Sequence, residues 1–149
     1  MEDAKVVSLI RRLRHDLGNH LQVISGFAEL GRVQDLRDYI KDVSEEMAGE
    51  RIVFEKQEPE PALYLFQVIL FARDLGILLK YRDLELATYQ PLIKGNEPFK
   101  SLAQVAEQLG ELDEDPVVLL SIKDEEQGIR MIFECEQLTK GPIEVCLKE

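Results

Sequence analysis

The sequence predicts an α+β protein in which an N-terminal helical hairpin precedes a small domain of helices and strands. Two observations indicate this fold class. Apolar residues recur every three or four positions through the first 49 residues, the period of an amphipathic helix. From residue 117 to the C-terminus, short apolar runs alternate with turn signals, which favours strands. The 149 residues, 45% hydrophobic and 32% charged, suit one compact domain or a helical module with a small partner domain.

The first predicted helix runs from about Glu2 to Leu30 and is followed by Gly31, a residue that often ends helices. Its apolar stripe is wider than a two-stranded seam and comprises Val6, Ile10, Leu13, Leu17, Ile24 and Phe27. A second helical stripe ends at Gly49 and comprises Leu36, Tyr39, Ile40, Val43 and Met47. Together they predict an antiparallel hairpin with unequal arms as the first domain, residues 1–49.

Two helices cannot bury an apolar stripe on both of them by packing on each other alone. Two copies of the hairpin forming a four-helix bundle would bury both stripes, so we expect a homodimer. In this arrangement Leu13, Leu17 and Ile24 are predicted to lie in the dimer interface.

Residues 50–149 are predicted to form a second domain, in which helices pack on a small sheet. Residues 50–60 are interpreted as a linker, or as a short strand followed by a turn. The other predicted elements, in chain order, are a helix from Pro61 to about Leu75, strands at 77–81 and 84–89, a loop at 94–98, a helix at 99–109, a solvated acidic loop at 111–115, and strands at 117–122, 129–135 and 143–147.

Composition excludes several classes of function. The net charge of −11 argues against nucleic acid, whose phosphates require a basic surface. The apolar run Ala62–Ala72 is too short to span a bilayer, so we expect a cytoplasmic protein without a membrane partner. Cys135 and Cys146 lack CxxC spacing, and with two histidines in the chain no metal site or cofactor is predicted.

The chemistry-bearing stretch is RHDLGNHLQVISG, from Arg14 to Gly26. At 100° per residue, His15 lies away from most of the apolar stripe, on a face that it shares with Arg11, Arg12, Gly18, Asn19 and Gln22. An exposed imidazole is largely neutral at pH 7 and has one nitrogen available as a nucleophile. The adjacent Asp16 can orient the ring or accept its proton.

Two further features surround this histidine. Gly18 costs the helix roughly 0.5–1 kcal/mol relative to alanine, and its missing side chain either permits close helix packing or lets another protein approach the imidazole. Arg11, Arg12 and Arg14 form a local cationic cluster, which suits an acidic partner or a phosphate, although solubility and pairing along the helix also explain such a cluster. None of these signals decides the function by itself.

The stretch RHDLGNHLQVISG, followed by FAELGRVQDLRDYI, resembles the helical hairpin of the sporulation initiation phosphotransferase B family. It is also similar to the related dimerisation region of citrate- and malate-type sensor histidine kinases. The shared pattern is R-H-[D/E]-x-x-N-[H/K]-L-Q-x-I-x-G, and the match covers about residues 9–45. The resemblance implies that His15 carries a phosphoryl group, that the hairpins form a dimeric four-helix bundle, and that a response regulator docks beside the histidine.

The second domain is similar to the degenerate ATPase-like domain of that phosphotransferase family. Sensor kinases follow the hairpin with an asparagine-bearing helix and glycine-rich loops that hold ATP. Here the corresponding helix reads FKSLAQVAEQLGEL, no DxGxG or GxGxG follows, and only QLTKG stands between Glu136 and Ile143. Without a phosphate cradle, we expect no ATP binding.

The sequence therefore predicts a phosphorelay histidine phosphotransferase without a cofactor of its own, since the response regulator supplies Mg²⁺. Its catalytic residues are His15 and Asp16, and its regulator-binding residues are Arg11, Arg12, Arg14, Gly18, Asn19 and Gln22. Two alternatives stay open: a non-catalytic scaffold that binds two-component proteins, and a highly divergent sensor histidine kinase. His20 is the other candidate acceptor, but it lies about 140° from His15 around the helix, and the family pattern favours His15. A role in sporulation is an expectation from the resemblance alone.

Overall fold

A computed structural model describes residues 2–148 of the chain. The protein divides into two compact units, Met1–Ala48 and Gly49–Glu149. The first unit is helical, and the second combines helices with a mixed sheet that has four strands within the described residues. This arrangement confirms the predicted α+β class. The domain boundary predicted from the sequence, after residue 49, lies one residue from the division between the units.

The first unit is a hairpin of α1 (Asp3–Glu29) and α2 (Val33–Gly49). The turn between them starts at Gly31, whose φ of +69° is a conformation that glycine adopts without strain. Its N–H donates to the Ala28 carbonyl at 3.2 Å, and the N–H of Arg32 donates to the Phe27 carbonyl at 3.0 Å. These two bonds satisfy carbonyls at the end of α1 and fix the start of α2, as in a Schellman motif.

The contacts between α1 and α2 include one polar pair and aromatic side chains. The hydroxyl oxygen of Tyr39 in α2 lies 2.6 Å from Nδ1 of His20 in α1. The Tyr39 ring packs edge-on against Phe27, with 6.3 Å between the ring centroids. No side chain of α1 or α2, which together cover 3–29 and 33–49, is fully buried in the single chain. The hairpin therefore has no closed core of its own.

The second unit contains four helices and four strands among the residues described. The helices are α3 (Arg51–Lys56), α4 (Pro59–Asp74), α5 (Gln90–Gly95) and α6 (Phe99–Leu109). The strands are β1 (Leu78–Glu85), β2 (Val117–Glu125), β3 (Gly128–Glu134) and β4 (Ile143–Lys148). They lie side by side in chain order, with β1 parallel to β2 and an antiparallel meander from β2 to β4. The three C-terminal strands and the helix at 99–109 are confirmed.

The core of this unit lies between α4 and one face of the sheet. Fully buried side chains include Leu65 and Val68 of α4, and Leu120, Met131 and Phe133 of the central strands. The buried Tyr81 of β1 donates its hydroxyl hydrogen to the Leu65 carbonyl at 2.8 Å. Burying side chains of this size contributes about 1.5–3 kcal/mol each, so α4 and the sheet form a stable scaffold without a disulfide in residues 2–148.

Several predicted elements of this unit were wrong. Residues 50–60 are neither linker nor strand: α3 forms there because Val53 is completely buried against the rest of the unit. The predicted loop at 94–98 begins inside α5, which ends at Gly95 and is capped by Asn96 in a left-handed conformation (φ 52°). The third predicted helix starts at Pro59 rather than Pro61.

The two predicted strands at 77–81 and 84–89 are replaced by a single strand, β1, which ends at Glu85, so residues 86–89 are not in a strand. Its pairing with β2 is irregular between Tyr81 and Asp83, where one extra residue is inserted. The insertion keeps Tyr81 opposite Leu120 and Leu84 opposite Ile122, so apolar side chains remain on the core face on both sides of the irregularity.

Candidate functional site

His15 lies near the middle of α1, and 74% of its side chain is exposed, as the sequence predicts. Two neighbours approach the same ring nitrogen, Nδ1. The amide nitrogen Nδ2 of Asn19 is 3.4 Å away, and the carboxylate oxygen Oδ1 of Asp16 is 3.7 Å away. Side chains on an α-helix lean toward its N-terminus, so Asn19, one turn later, lies over the imidazole.

The other ring nitrogen, Nε2, has no hydrogen bond to any residue in 2–148. Because Nδ1 is flanked by two polar groups and most of the side chain is exposed, Nε2 is the nitrogen that an external reactant reaches first. The carboxylate can accept a hydrogen from Nδ1, and whenever Nδ1 carries the ring proton the lone pair is on Nε2. The site therefore has the parts of a histidine nucleophile: an accessible nitrogen and an acidic neighbour on the opposite ring nitrogen.

The remaining predicted site residues follow the helical projection, because α1 runs from Asp3 to Glu29 as one helix. Arg11, Arg14 and Gln22 are exposed, whereas Arg12 and Gly18 are half-buried. Arg12 and Asp16 each make a further interaction within the protein. A Cβ atom added to Gly18 would have no atom of the described chain within 4 Å. Close packing within this chain therefore does not explain the glycine, and the surface beside His15 is open.

The predicted interface residues lie on the far side of α1. Leu13 is 44% and Leu17 58% exposed, while Ile24 is half-buried. From here on, the apolar stripe means Leu13, Leu17, the half-buried Ile24 and these exposed apolar side chains of the hairpin: Val6, Ile10 and Leu21 of α1, and Val33, Ile40 and Met47 of α2. Within α1 the exposed members recur at helical spacing, and exposed apolar side chains that recur in this way, rather than singly, mark a surface that binds another molecule.

His20 has a different environment from His15. Its Nδ1 is 2.6 Å from the hydroxyl of Tyr39, and the two rings are 5.7 Å apart between centroids. Burial, together with the negative charge of Glu46, raises the pKa of the Tyr39 hydroxyl, which therefore stays protonated at neutral pH and can donate to His20. This histidine joins α1 to α2, which suits a structural role better than that of an exposed acceptor.

Sequence reasoning assigned Asn19 to regulator binding and missed its contact with His15. The signal was present, since residues four apart are neighbours on a helix and the later side chain leans back over the earlier one. The partnership of His20 with Tyr39 was also missed, because it joins two helices whose relative rotation the sequence pattern does not specify.

Residues 1–55 match the family model described as "Sensor_kinase_SpoOB-type, alpha-helical domain". Over these residues the hairpin is similar to SpoOB-type helical domains. The match confirms the resemblance seen in the sequence, and it associates the chain with histidine kinases and phosphotransferases of two-component signalling. No curated protein and no solved structure matches the chain.

The second unit has an open cavity of about 640 Å³ whose polar lining includes Lys80, Glu114, Asp115 and Glu134. Among residues 2–148 no group of three or more His, Cys, Asp or Glu side chains is arranged to hold a metal ion. No helix in the same range combines the length and apolar character that a membrane span requires. The predicted absence of a cofactor stays a prediction.

Proposed function

We propose that the protein is a phosphorelay histidine phosphotransferase. In this proposal His15 accepts a phosphoryl group from the aspartate of one response regulator receiver domain and passes it to another. The observation that carries the proposal is the exposed imidazole of His15, held through Nδ1 between Asp16 and Asn19 on a SpoOB-type hairpin. The family match supports the coarser statement of two-component signalling, and the geometry of the ring supports the finer one.

The proposed reaction is a direct transfer between two side chains. The lone pair of Nε2 attacks phosphorus, an N–P bond forms, and the bond from phosphorus to the aspartate oxygen breaks, which releases the carboxylate. The ring then carries a positive charge, and its Nδ1 proton lies beside the carboxylate of Asp16. Phosphoryl transfer of this kind has a loose transition state, so positioning and neutralisation of charge supply most of the catalysis.

The exposed cations near His15 fit this chemistry. Arg11 lies one turn before His15 on the same face, and Arg14 is the adjacent residue; both are exposed and can approach an acidic receiver pocket. Gly18 leaves the side of α1 open, so a receiver domain can bring its phospho-aspartate close to the ring. The Mg²⁺ of the reaction belongs, in this proposal, to the regulator.

The apolar stripe supports a homodimer as the working form. Members such as Leu17 and Met47 are 58% and 65% exposed in the single chain, and a second hairpin would cover them in a four-helix bundle. In the proposed dimer, Leu13, Leu17 and Ile24 lie in the interface. We also propose that residues 50–149 are a degenerate ATPase-like domain. A cytoplasmic location and a role in sporulation likewise stay predictions.

Phosphoryl transfer from a labelled receiver domain tests the proposal. Wild type, His15→Gln and His20→Gln are incubated with radiolabelled phospho-regulators encoded by the same genome, and separately with labelled ATP. We expect acid-labile, base-stable label from a regulator on wild type and His20→Gln, and no label on His15→Gln. Label from ATP alone would instead favour a divergent kinase, and absence of label from every donor would favour a scaffold that binds signalling proteins without passing phosphate.

A further inference from the structure

Asn19 and Asp16 make opposite demands on the same nitrogen of His15. Asn19 presents its amide nitrogen, a hydrogen-bond donor, to Nδ1 at 3.4 Å, and Asp16 presents a carboxylate oxygen, an acceptor, at 3.7 Å. A neutral imidazole has one proton to share between its two nitrogens. The amide can donate to Nδ1 only when that nitrogen has a lone pair, and the carboxylate can accept from Nδ1 only when that nitrogen carries a hydrogen.

The choice between these partners decides whether the exposed nitrogen can react. When the amide of Asn19 donates to Nδ1, the ring proton is on Nε2, and the only lone pair of the neutral ring is the one that accepts from Asn19. When Nδ1 carries the proton, Nε2 has its lone pair and faces solvent. The arrangement in which Asn19 donates to Nδ1 is therefore the less reactive of the two.

The same competition acts after phosphorylation. With phosphorus on Nε2, a ring protonated at Nδ1 leaves as neutral imidazole: the N–P bond breaks, its electron pair returns to Nε2, and the hydrogen stays on Nδ1. A ring without that proton would have to leave as an anion, which is much less favourable. Donation from Asn19 to the Nδ1 lone pair favours the unprotonated ring, and so favours retention of the phosphoryl group.

We propose that Asn19 is a positioning residue that restrains His15 by holding Nδ1 unprotonated, so that both phosphorylation and release of the phosphoryl group await a partner that turns the amide. This inference rests on the proposed function and concerns the regulation of the same site. Asparagine suits the role because its amide oxygen can accept from Nδ1 once the side chain rotates, alongside Asp16. Asn19 is exposed, so a docked receiver domain can contact it.

The tautomer of His15 is the first readout. Nitrogen-15 spectra of the full-length protein, labelled at histidine, distinguish a protonated Nδ1 from a protonated Nε2, and the His15→Gln variant identifies which signals belong to His15. We expect wild type to be protonated mainly at Nε2, and Asn19→Leu to increase the share protonated at Nδ1. Asn19→Asp offers only acceptors and should increase the share protonated at Nδ1 further. Loss of a merely structural contact would not produce this order of wild type, Asn19→Leu and Asn19→Asp.

Reactivity without any regulator is the second readout. Phosphoramidate phosphorylates accessible histidines chemically, so labelling and subsequent hydrolysis can be followed on the protein alone. Loss of one hydrogen bond corresponds to about a two- to tenfold change, so we expect Asn19→Leu to be labelled, and then to lose its phosphate, faster than wild type by that factor. Gln34→Leu is the matched control, because Gln34 is an exposed amide bonded at 3.0 Å to Asp38, four residues later, away from the site.

The outcomes separate this inference from the proposed function. Unchanged tautomer and unchanged chemical labelling in both Asn19 variants overturn the restraint, even when regulators label His15. A changed tautomer with no labelling from any regulator upholds the restraint of the ring and overturns the phosphotransferase instead. Circular dichroism of each variant shows whether the hairpin is folded. We expect both Asn19 variants to fold, because the Asn19 side chain is exposed.

Discussion

Leu17→Asp should dissociate the proposed dimer. In the single chain 58% of the Leu17 side chain is exposed, so rather more than half of the burial free energy of a leucine remains to be gained in an interface. Full burial contributes about 1.5–3 kcal/mol, which leaves about 1–2 kcal/mol for the contact with a second copy. In a two-fold symmetric dimer each substitution is present twice, so the lost burial alone weakens association by about 2–3 kcal/mol.

The charge of the aspartate weakens association further, because two carboxylates would have to be desolvated at the seam at a cost of several kcal/mol each. Together these effects correspond to at least about 4 kcal/mol, or roughly a thousandfold in the dimer dissociation constant. Sedimentation equilibrium of Leu17→Asp should therefore show monomer at concentrations where wild type is dimeric. Ser8→Asp is the control, since Ser8 is exposed on the His15 face of α1 and should leave the dimer intact.

A stable Leu17→Asp dimer would contradict this assignment of the interface. A wild type that is monomeric at every concentration would contradict the dimer itself, because the apolar stripe would then have no second copy to cover it.

Two further predictions concern the second unit. Gly128→Ala should lower the free energy of unfolding by more than about 3 kcal/mol, because the added Cβ would lie 1.9 Å from the Leu147 carbonyl oxygen and φ is +135°. Gly141→Ala, at φ +87° and with no described atom within 4 Å of the added Cβ, should lower it by about 1–2 kcal/mol. Equal losses of stability in urea unfolding would refute the clash. Burial, with the nearby Glu97, raises the pKa of Tyr64 to about 12 from 10.0, so the stability that this phenol contributes is complete below pH 10 and lost between pH 10 and 12. The melting temperature should fall from pH 9 to pH 11, and less so in Tyr64→Phe; an identical fall in both proteins would contradict this origin.

The hairpin could be predicted from the sequence because its signals are local. The three- and four-residue spacing of apolar side chains defines both helices, and Gly31 marks the turn between them. The C-terminal meander was predictable for the same reason, since its strands are short apolar runs separated by turn residues. In these segments local preference and tertiary structure agree.

The short elements could not be predicted, because tertiary contacts stabilise them. The segment that forms α3 contains charges and is followed by prolines, yet the complete burial of Val53 holds it as a helix. The irregularity at Tyr81 in β1 is equally invisible in the sequence, because it depends on the register with β2. Propensity is a weak prior where burial opposes it.

At the candidate site, helical projection was enough to predict that His15 is exposed and that the leucines of the apolar stripe lie elsewhere. It could not specify which ring nitrogen has partners, because this depends on side-chain rotamers. The choice of Nδ1 by Asn19 depends on those rotamers, and the position of His20 between the helices depends on their relative rotation.

Relay between two regulators is the most direct test of the central claim. One labelled phospho-receiver domain and a second, unlabelled receiver domain are mixed with wild type, with His15→Gln, or with no added protein, and label on the second receiver is followed with time. The account predicts that label reaches the second receiver only with wild type. Equal transfer with His15→Gln would contradict the role of His15, and labelled His15 that never passes its phosphate to any receiver would contradict a relay.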